Sequence, residues 1–306
     1  MSLKAIKSKI QTINKTRKVT KAMEAVSAVK MRKSQERALS GRPYARTALQ
    51  ILTKVAGSRD ALQNMLAQER NATGKVLVVV ISSDKGLCGA LNASVFKATH
   101  QLLKDNSWNT DNTLIYAVGK KALEHFTARS FSLYANHTSP EETAALEDVQ
   151  EIADEIIGGF IEAKYDRVQI IYTNFKSTFE QEPVVRRLLP LSFAALEETV
   201  QGIVPDKGKF ADQENQLDLA VSNYTIEPNA DSVLATLLPR LVAVEIYHAL
   251  IEASASEHSA RMVAMKNATD KAGEVSRELN LKFNKARQAA ITQEVSEIVG
   301  GMQVSS

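Results

Sequence analysis

RLVAVEIYHALIEASASEHSARMVAMKNATDKAGEVSRELNLKFNKARQAAITQEVSEIVG, residues 240–300, decides the fold. The stretch holds no proline and one interior glycine, Gly273, so nothing in it interrupts an α-helix. At 1.5 Å rise per residue such a helix runs to about 90 Å, roughly twice the width of a compact domain of this size. It is expected to project from any globular part of the chain.

Intrinsic propensity does not hold a helix of that length; an apolar stripe buried on a comparable partner does. Leu3 to Lys54 offers the partner, with one proline, Pro43, and with Leu3, Ile6, Ile10 and Ile13 spaced three and four apart. That spacing is a coiled-coil seam. Arg17 occupies the next seam position, so the seam is expected to slip there and resume on Val19, Met23, Val26 and Val29, with a local change of supercoil. On the C-terminal helix the facing stripe runs through Leu241, Val244, Leu250, Ile251, Met262, Met265, Ala268, Ala272, Val275, Leu279, Ala286, Ala290, Val295 and Ile298. Many of these side chains are small, which allows close approach of the two backbones. The expected units are an N-terminal coiled-coil helix at 1–57, an α/β domain at 74–215 and a C-terminal helix at 228–306 that pairs with the first.

Between the helices the period changes. Lys75 to Ser82 is a short valine-rich run bounded by Gly74 and by Asp84-Lys85-Gly86, which reads as a buried strand of a parallel sheet. Helices follow at Leu91 to Lys104, Lys120 to Arg129 and Glu141 to Ala163, and strands at Thr113 to Val118, Phe131 to Ala135 and Arg167 to Tyr172. Val184 to Pro190, flanked by prolines, reads as an edge strand. This alternation predicts a small Rossmann-like, three-layer α/β domain with right-handed crossovers. Gln201 to Gln216 is read as a surface loop, and the chain turns back into the long helix after Tyr224, Glu227 and Pro228.

With 306 residues and 44% hydrophobic content, the chain can bury a real core. Its longest apolar run, Val76 to Ile81, is far too short to cross a bilayer, so the chain is expected to be soluble. The Lys-rich, acid-free first twenty residues mimic a transit peptide, but the apolar period continues past any cleavage point and favours mature helix. A single cysteine, Cys88, excludes an internal disulfide and points to a reducing compartment.

Net charge is +3, yet residues 1–42 carry twelve Lys or Arg against Glu24 and Glu36, a net +10, leaving −7 for the other 264. A basic helix of this kind suits a nucleic-acid backbone, an anionic membrane or an acidic protein partner, or is simply solvated. No aromatic residue precedes Tyr44 to stack on a base, which argues against nucleic acid.

The motifs of small-molecule chemistry do not assemble. Gly86-Leu87-Cys88-Gly89 follows a strand and precedes a helix but lacks the three-glycine spacing of a dinucleotide loop, and Gly74-Lys75, Gly119-Lys120 and Gly208-Lys209 lack the rest of a phosphate loop. A tight strand-to-helix turn is the expected role of Ser83 to Gly89. The five histidines match no metal set, His248 and Glu252 read as a surface pair one turn apart, and Cys88 reads as buried rather than nucleophilic. Catalytic, cofactor-binding and metal residues are accordingly expected to be absent.

Several blocks resemble a known family. Ile6-Lys7-Ser8-Lys9-Ile10, Lys18-Val19-Thr20-Lys21-Ala22-Met23-Glu24 and Lys30-Met31-Arg32-Lys33 are similar to the opening helix of the gamma subunits of F-type ATP synthases, and Ser83 to Gly89 to their sheet-domain turn. Arg261-Met262-Val263-Ala264-Met265-Lys266-Asn267-Ala268-Thr269-Asp270 and Asn284 to Glu294 with Glu297-Ile298 resemble the C-terminal helix, in the bacterial form. Gly300-Gly301 departs from the usual glycine-alanine there, and the loops at 106–112 and 202–216 are longer than in short bacterial forms and lack the paired cysteines of the chloroplast insert.

The resemblance implies a non-catalytic central rotor shaft, inside a ring of three alpha and three beta subunits, that couples proton flow through a membrane ring of c subunits to ATP synthesis on beta. It implies contacts with alpha, beta, epsilon and the c ring, with delta only indirectly and with no nucleic acid, at the cytoplasmic face of a bacterial plasma membrane. By motif, rotor-stator contacts fall on Met23, Arg261, Arg287, Gln288, Thr292 and Glu297, and contacts at the foot on Tyr224, Glu227 and Pro228. A basic adaptor acting through residues 1–42, or an α/β enzyme with helical arms, would be the competing classes.

Overall fold

The computed structural model describes residues 2–55, 65–69, 74–138, 146–191 and 230–304. In chain order the elements are α1 (Leu3–Val55), β1 (Val76–Ile81), α2 (Leu91–Asp105), β2 (Thr113–Val118), α3 (Lys120–Thr127), β3 (Ser132–His137), α4 (Leu146–Ile161), β4 (Arg167–Ser177), β5 (Glu180–Leu189) and α5 (Ala230–Val304). Two compact units result: Met1–Ser27 with Arg261–Ser306, and Ala28–Ala260. The loop expected at 201–216 and the residues Tyr224, Glu227 and Pro228 lie outside the described residues.

In the first unit, α1 and α5 pair antiparallel. The Thr20 and Thr269 hydroxyls meet at 2.7 Å, and Ser276 Oγ donates to Asn14 Oδ1 at 2.8 Å. Between these ties the Arg17 guanidinium passes 3.6 Å from where a Cβ on Gly273 would lie, an ordinary van der Waals distance. Ile6, Thr20 and Ser27 are buried, and Leu3, Ile10 and Ile13 half-buried.

The expected slip of the seam does not occur. Spacings of three and four continue unbroken from Leu3 through Ile6, Ile10, Ile13, Arg17, Thr20, Glu24 and Ser27, while Val19 is 58% and Val26 54% exposed. The reason is steric: short hydroxyl side chains fit between close backbones and find partners across the interface, so the period is kept at the expense of valine burial.

The facing stripe is corrected as well. Met265, Thr269, Gly273 and Ser276 are buried, and Leu279, Phe283, Ala286 and Ala290 half-buried, but Val295 and Ile298 are exposed. The residue numbers of the paired positions sum to 289 or 290, which sets Leu3, where α1 begins, beside Ala286 and Arg287. Past that point α5 has no partner among the described residues, and the three-four spacing runs on to Gln293 and Glu297 instead.

The second unit is a three-layer α/β domain. Its sheet has the order β3-β2-β1-β4-β5, with the first four strands parallel. All six residues of central β1 are buried, and the pleat divides them. Leu77, Val79 and Ile81 meet α4 and the start of α5, whereas Val76, Val78 and Val80 meet Val95 and Leu103 of α2 and Phe126 of α3. Each fully buried valine of β1 contributes about 1.5–3 kcal/mol.

β5 is antiparallel to β4, so the sheet is mixed, and both strands are longer than expected. Only Thr178 and Phe179 separate them, too short for the crossover a parallel pair needs. α5 likewise starts ten residues before the proline-free stretch and passes through Pro239. A proline inside a helix costs about 3 kcal/mol, which burial of Leu238, Leu241, Val242 and Ile246 offsets. Also in this unit, Met31 and Ser34 of α1 are buried, Val29 is exposed, and Ser34 Oγ lies 3.2 Å from Ser254 Oγ.

Candidate functional site

The outer faces of the first unit carry its chemistry. Lys4, Lys7, Lys9, Lys15, Lys18 and Lys21 of α1 are all exposed, interleaved with the exposed Val19 and Val26. Because the seam keeps to its heptad, both valines are excluded from it and added to a basic surface.

On α5 every residue from Ile291 to Ile298 is exposed. Ile291, Val295 and Ile298, four and three residues apart, form one apolar stripe with Gln288 on its flank. Val295 and Ile298 were assigned to the seam from sequence; the structure separates stripe from seam, placing Gln293 and Glu297 on the seam line. Gln293 Nε2 donates to Glu297 Oε1 at 2.9 Å, and Thr292 Oγ1 donates to Gln288 O at 2.9 Å. Both bonds link neighbouring turns of one helix and leave the side chains facing water. Nearer the paired region, the Lys271 ammonium donates to Glu274 Oε2 at 2.7 Å. That bond raises the lysine and lowers the carboxyl from their ordinary values.

Of the sequence-derived contacts, Arg287, Gln288, Thr292 and Glu297 are therefore exposed and gathered on the far part of α5, and Met23 is half-buried. Arg261 is only 7% exposed. What sequence reasoning missed is the apolar stripe itself. Its signal was present: the seven-residue repeat through Leu279, Ala286 and Ala290 does not reach Val295 or Ile298.

The α/β domain offers a turn where a cofactor loop was considered. Asn92 Oδ1 accepts from Ser83 N at 3.1 Å, and Asn92 Nδ2 donates to Ser83 Oγ at 2.7 Å and to Cys88 Sγ at 3.4 Å. Cys88 is buried in this network, as its place in the sequence suggested. Among the described residues no three His, Cys, Asp or Glu side chains group as metal ligands, and no helix is long and apolar enough to cross a membrane. His248 and Glu252, read as a surface pair, are instead both buried, because β4 and β5 cover that face of α5.

The model of the ATP synthase family matches residues 2–304. A curated relative named ATP synthase gamma chain, from Roseiflexus castenholzii, is 36% identical over 301 residues, covering 98% of this chain and 97% of its own. The chain belongs to the ATP synthase gamma-chain family. A second gamma chain, from Methylobacillus flagellatus, is 38% identical over 298 residues, with 97% of each chain covered.

Solved structures agree. A chain in the central stalk and c-ring of the Tetrahymena thermophila mitochondrial ATP synthase superposes with a TM-score of 0.59 at 25% identity, covering 82% of this chain and 99% of its own. One in the Euglena gracilis mitochondrial ATP synthase gives 0.64 at 19% identity, covering 99% and 94%, and shares the fold. As a gamma-chain family member, the protein combines the paired terminal helices and the central α/β sheet that the resemblance implied.

Proposed function

We propose that the chain is the non-catalytic shaft of a rotary ATP synthase, turned by proton flow through a c-subunit ring and acting on beta subunits held in a ring with alpha. The observation that carries this reading is the end of α5, which has no partner among the described residues, with exposed Ile291, Val295 and Ile298 on one helix beside Arg287, Gln288 and Thr292. An apolar stripe left in water on a helix is stabilised by a surrounding sleeve, and a helix gripped without deep pockets can still turn within it. Such a shaft works by differential contact: each beta subunit meets a different side of it, and the side met biases that subunit's open and closed states.

In this reading Met23, Arg261, Arg287, Gln288, Thr292 and Glu297 supply contacts to the ring, Arg261 only through the small part of its surface left open. The exposed lysines of α1 steer acidic surfaces of the ring without locking them, since screened charges at such distances act weakly. Tyr224, Glu227 and Pro228 belong to the foot, with epsilon and the c ring, and delta is met only indirectly. The working division is 1–57, 74–215 and 228–306, the chain binds no cofactor itself, and the complex sits peripherally on the cytoplasmic face of a bacterial plasma membrane.

The test is the native mass of the purified complex together with its coupling. Three alpha, three beta and one copy of this chain, with ATP-driven proton pumping in reconstituted vesicles that stops when the chain is omitted, is the expected result. A salt-sensitive complex with nucleic acid and no association with nucleotide-binding subunits would reject it.

A further inference from the structure

In the second unit, His248 and Glu252 stand one turn apart on α5, both buried, with His248 Nε2 3.5 Å from Glu252 Oε1. The groups facing Glu252 are Tyr172 from β4 and Arg186 from β5, whose guanidinium lies 5.8 Å from the Tyr172 ring centroid; Glu245, from α5 itself, acts on Tyr172. Glu252 Oε2 and Arg186 Nη1 are buried and have no hydrogen-bond partner among the described residues. Packing alone does not call for such a cluster, because well-fitted apolar side chains hold a helix on a sheet at least as well as a buried, half-matched charge pair.

We propose that Glu252 is a proton-binding site at the junction of α5 with the β4–β5 hairpin, and that the hairpin is held on the helix more tightly when this carboxyl carries its proton. Two further ties join the same elements: Ser256 Oγ donates to Thr173 O at 3.0 Å and Ser259 Oγ to Thr178 O at 2.7 Å. Neither hydroxyl titrates near neutrality, so pH acts on the junction through the charged cluster.

Burial pushes the Glu252 carboxyl up to about 7, against the opposing pull of the Arg186 charge and of the Tyr172 hydrogen bond. A group raised in the folded state contributes stability that is full below its unfolded value and is lost as pH rises through the folded one. The window is therefore about 4.5 to 7. Lifting the hairpin hydrates the carboxyl, which then releases its proton.

The experiment uses the full chain and follows the infrared carbonyl band of protonated carboxyl groups, together with amide hydrogen exchange of residues 167–189 corrected for intrinsic rates. A band that disappears near neutrality and is missing in Glu252→Gln is expected. The opening constant of the hairpin should rise about tenfold per pH unit from 5 to 7 and then level, since one proton is released. Arg186→Gln and Tyr172→Phe, each removing a group that favours the ionised form, should move the midpoint upward. The proposal is overturned if no such band titrates, if Glu252→Gln keeps the full pH dependence, or if both other variants leave the midpoint in place. Should Glu252→Gln not fold, the two midpoint shifts decide alone.

Discussion

Thr20 Oγ1 and Thr269 Oγ1, 249 positions apart in the chain, lie 2.7 Å from each other across the helix pair of the first unit. Each also lies within reach of a carbonyl of its own helix, Thr20 Oγ1 of Arg17 O at 3.1 Å and Thr269 Oγ1 of Met265 O at 2.8 Å; with one hydrogen each, one hydroxyl donates to the other, which donates to its own carbonyl. The contact therefore fixes the register of two helices at a point where a leucine seam would slide.

Removing one hydroxyl takes away the bond across the interface and leaves the other, held only by its own helix, facing an apolar group. Thr20→Val is expected to destabilise the chain by about 1 kcal/mol, and adding Thr269→Val to recover most of it, because an apolar pair of the same shape leaves nothing unsatisfied. Urea denaturation of both single variants and the double variant closes the cycle. Additive losses would show that the two hydroxyls do not interact.

Seam and surface are distinguished by a second pair of substitutions. Ser27 is buried and Val26 exposed. Ser27→Leu should cost about 1–3 kcal/mol through overpacking. Val26→Ser should stay within about 0.5 kcal/mol. The reverse ranking in thermal melts would restore the slipped seam.

The apolar stripe of α5 is expected to matter to assembly and not to folding. Ile291→Ser, Val295→Ser and Ile298→Ser combined should leave the helical circular dichroism and melting of the isolated chain nearly unchanged, as changes at exposed sites do. ATP-driven proton pumping by the reconstituted complex should fall. Full pumping with the triple variant would remove the stripe from the working surface.

In the α/β domain His100 Nε2 and His125 Nε2 meet at 3.0 Å, and the always-protonated Arg129 Nη1 lies 3.1 Å from His125 Nδ1. His125 must then carry its proton on Nε2 and donate to His100, so a second proton would set two donors face to face. Burial first, then Arg129, then His100 hold His125 down to about 4, and burial and Arg129 lower His100. The folded pair refuses protons that the unfolded chain accepts, so its contribution to stability is full above about 6.5 and declines as pH falls toward 4. His125→Phe, which keeps the stacking on Phe96, should flatten the decline. An equal loss of urea midpoint between pH 7 and 5 in this variant would assign the acid sensitivity elsewhere.

Much of this was legible in the residues. The absence of breakers in 240–300, the spacing of Leu3, Ile6, Ile10 and Ile13, and the valine run of β1 specify a long helix, its partner and a central buried strand through local geometry alone. Arg287, Gln288, Thr292 and Glu297 were named through the resemblance alone, and in the structure all four are exposed.

Other features depended on neighbours. Hydrophobicity pointed to Val19 and Val26 as the seam, yet the interface took Thr20 and Ser27, since how closely two backbones approach is settled only by the pair. In the same way Glu252 looked like an exposed helix charge until β5, antiparallel after a two-residue turn, covered it. The sequence by itself determined which segments are helix or strand, because period and breaker residues act within a few positions. Only the tertiary structure decided which face of each is buried and which polar groups are buried with it, because burial belongs to two surfaces brought together and neither segment carries that information alone.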